Sequence, residues 1–386
     1  MQLVGNWNYP TSIKAGAGRV AELGKWCRSL GLTKPLIVTD PGLATMPMLL
    51  DARDLLARDG LGVRVFSELR SNPIGRNVDD GVTAFRAGNH DGIVAFGGGS
   101  ALDVGKAIAL MVGQSRPLFD FEDVGDNWLR VAPAGVASCI AVPTTAGTGS
   151  EVGRASVITD DVAHVKKIIF HPKMLPAVVI LDPELTFGLP EKLTAATGMD
   201  ALSHCLEAYC VNSFHPLAAG VALEGMRLVK DHLPAACKHP TDAEARMHML
   251  VASSMGATAF QRGLGAMHAL AHPLGALYDA HHGMLNAVLM PYVLRANEPA
   301  IETVIASAAR YLGLAKPTFQ GFLDWVLALR AEIGIPHALS ALGIDTRDKA
   351  RVGQMAVEDP SAGGNPYPFT AEQYSHIFQC AVAGEL

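Results

Sequence analysis

Aromatic residues are scarce in this chain, and neither sign of charge dominates. Of its 386 residues 6% are aromatic and 18% charged, with 31 basic against 37 acidic groups. The formal net charge of −6 supplies no basic surface, so neither nucleic acid nor an acidic membrane is expected as a partner. The six cysteines (Cys27, Cys139, Cys205, Cys210, Cys237 and Cys380) form no C-x-x-C pair and no framework spacing. They read as reduced thiols of a cytoplasmic protein rather than as a disulfide scaffold. No apolar run reaches the roughly 18 uncharged residues of a membrane span. The opening residues lack a basic stretch followed by an apolar one, so no export signal is expected. What is present is apolar mass: 49% hydrophobic residues and a mean hydropathy of +0.23. That content implies a large core or an interface between copies, and the length favours two domains.

The first half alternates short apolar runs with helical patterns. Pro35–Thr39, Gly92–Phe96, Ser138–Val142 and Ala177–Leu181 read as buried parallel strands. Helices are expected over Arg19–Leu30, Pro47–Asp59 and Val78–Ala87. The texture changes near the segment Asp182–Pro190, beyond which β-branched runs give way to long amphipathic stretches. Helices are expected there over Lys192–Val211, Pro216–Leu233, Ala243–Ala259, Gly283–Arg295, Ile301–Leu312 and Thr318–Ile333. The expected organisation is an α/β domain over residues 1–185 and a helical domain over 186–386.

Two loops follow strands. Gly97-Gly-Gly-Ser-Ala-Leu-Asp-Val-Gly-Lys106 opens a helix, whose free N–H groups and partial positive charge suit a phosphate. Pro143-Thr-Thr-Ala-Gly-Thr-Gly-Ser-Glu151 is dense in hydroxyls and glycines. Such loops at the carboxyl ends of neighbouring parallel strands are where open α/β sheets bind nucleotides. Asp40, just after the strand Pro35–Thr39, can accept from ribose hydroxyls and would repel a 2′-phosphate, which favours NAD over NADP. A turn or N-cap aspartate is the plainer role for it.

The second half holds a metal-like constellation. Asp200 and His204 lie four apart in an expected helix, so both face the same side. His268, His272, His281 and His282 follow within fifteen residues of one another. His268 and His272 share the i, i+4 spacing, but Pro273 disfavours helical geometry at His272. Residue chemistry does not choose between His281 and His282. One carboxylate and three imidazoles suit divalent iron or zinc.

With these pieces in order the chain resembles the iron-containing (group III) alcohol dehydrogenase family. The matching segments are GGGSALDVGK at 97–106, PTTAGTGSEV at 143–152, DPELTFGLP at 182–190, ATGMDALSHCLEAY at 196–209 and GLGAMHALAHPLGALYDAHHG at 263–283. The resemblance implies a Rossmann-like parallel sheet followed by an all-α domain, the dehydroquinate synthase-like architecture. It implies Fe2+ (or Zn2+) held by Asp200, His204, His268 and His282, with His272 beside the substrate. It also implies NAD contacts by Asp40, Asn72, Gly98, Gly99, Ser100, Asp103, Thr144, Thr145, Thr148, Ser150 and Lys166, with Lys167 as the alternative to Lys166. A homodimer or higher oligomer is expected on the same ground. Two departures stand out: Phe260-Gln-Arg-Gly263 is shorter than the family's usual run there, and Ala155 replaces a bulkier residue.

The expected activity is NAD-linked interconversion of a small primary alcohol, diol or ω-hydroxy acid and its aldehyde, with His272 passing a proton to solvent. Arg262 either pairs with a substrate carboxylate or is an ordinary solvated arginine. The rival readings are a dehydroquinate synthase-like lyase and a non-catalytic nucleotide-binding relative. The lyase would need basic residues near the metal, and segments 196–209 and 263–283 contain no lysine or arginine. A metal-free maleylacetate reductase relative would not need all four ligand positions filled.

Overall fold

The computed structural model describes residues 11–163 and 165–386. The chain separates into two compact units, one of residues up to 145 together with 149–188, the other of 189–386 together with 146–148.

The first unit is built on strands β1 (Ser12–Ala15), β2 (Pro35–Val38), β3 (Arg64–Phe66), β4 (Gly92–Gly97), β5 (Ser138–Pro143), β6 (Ala155–Asp160), β7 (Val165–Phe170) and β8 (Val178–Leu181). Six of them form one parallel sheet in the order β1-β8-β5-β4-β2-β3, while β6 and β7 pair as an antiparallel ribbon. The four expected strands are the central ones, and every residue of β2, β4 and β8 is buried. Burial on both faces is why they read as unbroken apolar runs. Helices α1 (Leu23–Ser29), α2 (Pro47–Arg58), α3 (Gly75–Ala87) and α4 (Gly99–Met111) supply the crossovers. Ile37, Val94, Phe96, Ile140 and Ile180 pack with Leu23, Leu49 and Leu56 in one face of that core.

The strand order places a topological switch beside β2. From β2 the chain moves to β3 on one side, then returns to β4 on the other. At such a point the loops leaving neighbouring strands diverge and open a crevice at the carboxyl ends. Asp40 and Gly97–Gly99 sit at those ends.

The second unit is helical: α5 (Glu191–Cys210), α6 (Pro216–Lys238), α7 (Ala243–Ala259), α8 (Ala266–Tyr278), α9 (His282–Tyr311), α10 (Phe319–Glu332), α11 (Lys349–Glu358) and α12 (Ala371–Ala383). Two expectations fail here. The stretch expected as two helices is the single α9, which runs through Pro291 and Pro299. Pro273 likewise sits inside α8, with His272 in helical conformation. Each proline removes one backbone bond, and around Pro273 and Pro291 packing compensates: Met267–Ala271 and Pro273–Gly275 are buried, as is nearly all of α9 through Leu294, whereas Pro299 lies on an exposed turn of the helix.

Asp91 ties the start of β2 to that of β4. Its Oδ2 accepts from Thr33 N–H and Thr33 Oγ1 at 2.7 Å each, and Oδ1 accepts from Lys34 N–H at 2.9 Å. Burial opposes its charge, but these bonds outweigh it and hold the carboxyl below the usual 3.8. A depressed folded-state value means stability that is present above pH 3.8 and is lost as the pH falls through the folded value. Asp91→Ala should therefore lower Tm by a few degrees at pH 7, and the gap to the parent should close on acidification below that range. A pH-independent gap in thermal unfolding would refute the latch.

Candidate active site

The candidate residues fall in two regions, one in each unit. In the sheet unit β4 ends at Gly97, whose φ of 151° falls where side chains are disfavoured. A Cβ there would lie 2.6 Å from Asp40 Oδ2 and 2.8 Å from the Ala101 Cβ, so only glycine permits the turn. Gly98 is the N-cap of α4, and no side chain caps this helix start. Its N–H points to Asp40 Oδ2 at 3.4 Å, and burial raises the Asp40 carboxyl, a shift that this N–H partly offsets. Gly99 and Ser100 form the first turn, with the Ser100 hydroxyl donating to Ser71 O in the loop that also carries Asn72. Thr144 N–H donates to Gly97 O at 3.0 Å, which brings the Thr144–Thr145 turn against the end of β4.

Asp103 and Ser150 are engaged with each other. Ser150 Oγ donates to Asp103 Oδ1 at 2.5 Å, and Val157 N–H donates to Oδ2 at 3.0 Å. Buried Lys106, one turn on, donates to Ser150 O at 2.9 Å and to Ala155 O. This network fastens the second glycine-rich loop to α4. Lys167 bridges Asp160 at 3.1 Å and Glu122 at 3.4 Å, whereas its neighbour Lys166 pairs with Thr159 in the ribbon register. Thr148 belongs to the 146–148 segment grouped with the helical unit.

In the helical unit α5 is buried along most of its length, and its polar residues Asp200, His204 and Glu207 recur at i, i+4 and i+7. Ligand atoms of Asp200, His204 and His268 lie within 4.8 Å of one another, and all three residues are buried. The His204 ring stacks on that of His268, centroids 4.8 Å apart, and meets Phe260 edge-on at 5.1 Å. Burial pushes His204 down to about 4, so it is a neutral imidazole with a lone pair to offer. His282 begins α9, with Nε2 3.7 Å from Asp200 Oδ1. Its neighbour His281 is instead the N-cap, accepting Met284 N–H through Nδ1 at 3.3 Å. Gly283 lets α9 approach α5: a Cβ there would meet Ala196 O at 2.5 Å and Asp200 Cβ at 3.1 Å.

Three residues outside the expected set complete the geometry. Asn286, one turn beyond His282, donates through Nδ2 to Asp200 Oδ1 at 2.8 Å and faces His268 Nε2 and His282 Nε2 at 3.2 Å each. Three acceptor atoms from three helices thus converge on one amide, a gathering of lone pairs that a cation satisfies more fully. Asn286 Oδ1 is buried without a hydrogen-bond partner among the described residues. The donor set fits a divalent ion of iron or zinc type. Glu207 accepts from His268 Nδ1–H at 2.6 Å. Asp359, just past α11, accepts from His272 Nδ1–H at 2.8 Å. Burial would raise Asp359, but His272 and Ser361 beside it bring it below the usual range. His268 and His272 face the same side of α8, ring centroids 5.9 Å apart, contrary to the expectation drawn from Pro273. Glu207 was legible as the i+7 member of the α5 stripe and Asn286 as the i+4 partner of His282. Asp359 lies 87 residues from His272 and left no sequence signal.

Arg262 is half-buried. The guanidinium donates to Tyr209 O at 3.0 Å and to Ser213 O at 3.1 Å, closing the end of α5 from a short 3-10 turn.

Residues 10–183 match the sequence profile of the iron-containing alcohol dehydrogenases, and residues 194–382 that of the C-terminal region of the same family. A 4-hydroxybutyrate dehydrogenase from Cupriavidus necator is 39% identical over 96% of this chain and 98% of its own length. A crystal structure of a 1,3-propanediol oxidoreductase superposes with a TM-score of 0.93 at 35% identity, covering 97% of this chain and 99% of that one. A sulfoacetaldehyde reductase from Bifidobacterium kashiwanohense, solved in complex with NAD+, gives a TM-score of 0.89 at 29% identity over 99% and 100% of the two chains.

Asp200 is the sole carboxylate of the three-residue group. Asp200→Ala should therefore lower bound divalent metal to a small fraction of the parent's, measured by elemental analysis after anaerobic purification, with NAD+ affinity unchanged. Parental metal stoichiometry in that variant would contradict the assignment.

Proposed function

The chain belongs to the iron-containing alcohol dehydrogenases and is an NAD-linked enzyme of that kind; from this premise we propose that it interconverts a small primary alcohol, diol or ω-hydroxy acid with the matching aldehyde. The observation that carries the reading is the buried group of Asp200, His204 and His268 with His282 at its edge. We assign these four as ligands of Fe2+, for which Zn2+ is the alternative. When bound, such an ion polarises the substrate oxygen as a Lewis acid and lowers its pKa.

The chain's own residues supply the rest. His272 has 19% side-chain exposure against 1% for His268, so of the two it is the one with a way to solvent. Asp359 holds its Nδ1–H, which leaves Nε2 to take the hydroxyl proton and release it to water. For the cofactor, Gly98, Gly99 and Ser100 at the α4 start receive phosphate, with Thr144, Thr145, Thr148, Asn72 and Lys166 as further contacts. Lys167 is set aside because two carboxylates already hold it. Asp103 and Ser150 shape the loop through their mutual bond. Asp40 selects NAD by accepting from ribose and repelling a 2′-phosphate. Recognition of a substrate carboxylate is not assigned to Arg262, whose donors cap α5. The free state of all six cysteines supports an intracellular location, and the apolar composition a homo-oligomer, which light scattering would test.

An anaerobic NAD+-reduction assay across short primary alcohols, diols and ω-hydroxy acids should give turnover, and its absence throughout the panel would refute the substrate class. His272→Ala should lower kcat by about 100-fold or more while metal content stays parental. Loss of metal in step with activity would remove the relay role. Asp40→Ala should raise the ratio of kcat/KM for NADP+ over NAD+ at least about tenfold. An unchanged ratio would remove Asp40 from cofactor selection.

A further inference from the structure

We propose that Glu207 is a positioning residue that fixes His268 in the tautomer and orientation a metal ligand requires; this rests on the assignment of His268 as a ligand. The Glu207 side chain is 5% exposed and His268 1%, so the pair is shielded from water. Its carboxylate accepts three hydrogen bonds, all from the start of α8. Oε2 accepts from Gly265 N–H at 2.9 Å and from His268 Nδ1–H at 2.6 Å, and Oε1 accepts from Met267 N–H at 2.6 Å. Gly265 is the N-cap of α8 and Met267 its second residue, so both amides are among the donors a helix start leaves without partners. The positive end of the helix dipole stabilises a negative charge there.

Two consequences follow from one side chain. The backbone bonds hold the carboxylate still without help from His268, which makes it a fixed reference for the imidazole. The bond to Nδ1 then places the ring proton on that nitrogen and directs the Nε2 lone pair away from Glu207, to the side where Asn286 Nδ2 stands at 3.2 Å. The opposite tautomer would set a nitrogen lone pair against Oε2 across 2.6 Å. Glu207 also ties α5, which carries Asp200 and His204, to α8, which carries His268, so the ligands are held in one frame. Carboxylates bonded to the distal nitrogen of a ligating histidine are a recurrent device for this purpose.

The test is a double-mutant cycle on the metal-free full chain, with Co2+ affinity read by competition against a chromophoric chelator. The four proteins are the parent, E207Q, H268A and E207Q/H268A. NAD+ titration confirms that the sheet unit is intact in each. In the parent background E207Q should weaken Co2+ binding by about 10- to 100-fold. In the H268A background, where no ring remains to be positioned, the same change should cost less than about threefold. An equal loss in both backgrounds would show that Glu207 supports the fold without acting through His268, and no loss in either would discard its role. Parental affinity in H268A would overturn the ligand assignment itself, and the Glu207 role with it. If E207Q does not fold, E207D keeps the charge but shortens the reach, and the same pattern of losses applies.

Discussion

Ionisable groups buried inside a helical bundle must neutralise one another or recruit a counter-charge, and the helical unit is organised around that demand. Asp200, Glu207 and Asp359 are all largely withdrawn from water, with side-chain exposures of 3%, 5% and 11%. Desolvating an unpaired carboxylate costs several kcal/mol. The contacts that meet this cost are imidazoles, an amide and backbone N–H groups from α8 and α9. The α5 segment 196–209 and the segment 263–283 bring no lysine or arginine. The neutralising charge is therefore either a proton on an imidazole or a metal ion. Glu207 raises His268 against the effect of burial, so this imidazole retains a proton more readily than an ordinary one. A divalent ion in place of that proton satisfies Asp200 and the imidazoles together.

The sheet unit meets a different requirement, that backbone approach a ligand closely. Its parallel order produces the switch beside β2, and the switch sets Asp40 next to the uncapped start of α4. Gly97 makes the turn sterically possible. The Asp103–Ser150 bond and the buried Lys106 then fix the second loop to the same helix. Each unit thus combines polar groups that pay no catalytic part themselves with others left to face a ligand.

Much of this was legible in the sequence for identifiable reasons. Central strands declared themselves because burial on both faces leaves them uniformly apolar, and α5 declared its metal face because Asp200 and His204 keep helical spacing. β3 and the β6–β7 ribbon did not, being short or only partly buried. Pro273 misled because local propensity was overruled by packing in a buried helix. The roles of His281 and His282 were indistinguishable by residue type, and only the helix start separates the cap from the residue beside Asp200. Arg262 looked like a surface or substrate arginine because nothing local reveals that Tyr209 and Ser213 supply its acceptors. The pairing of Asp359 with His272 is a purely tertiary event, beyond any spacing rule.

The central claim is that one ion is held by a carboxylate and imidazoles of α5, α8 and α9. X-ray absorption at the edge of the bound metal, on protein purified anaerobically, examines that ligand shell directly. The account predicts multiple-scattering features of about three imidazoles together with one oxygen donor from carboxylate at roughly 2.0–2.2 Å. A shell of sulfur donors, or of oxygen alone without imidazole, would contradict it.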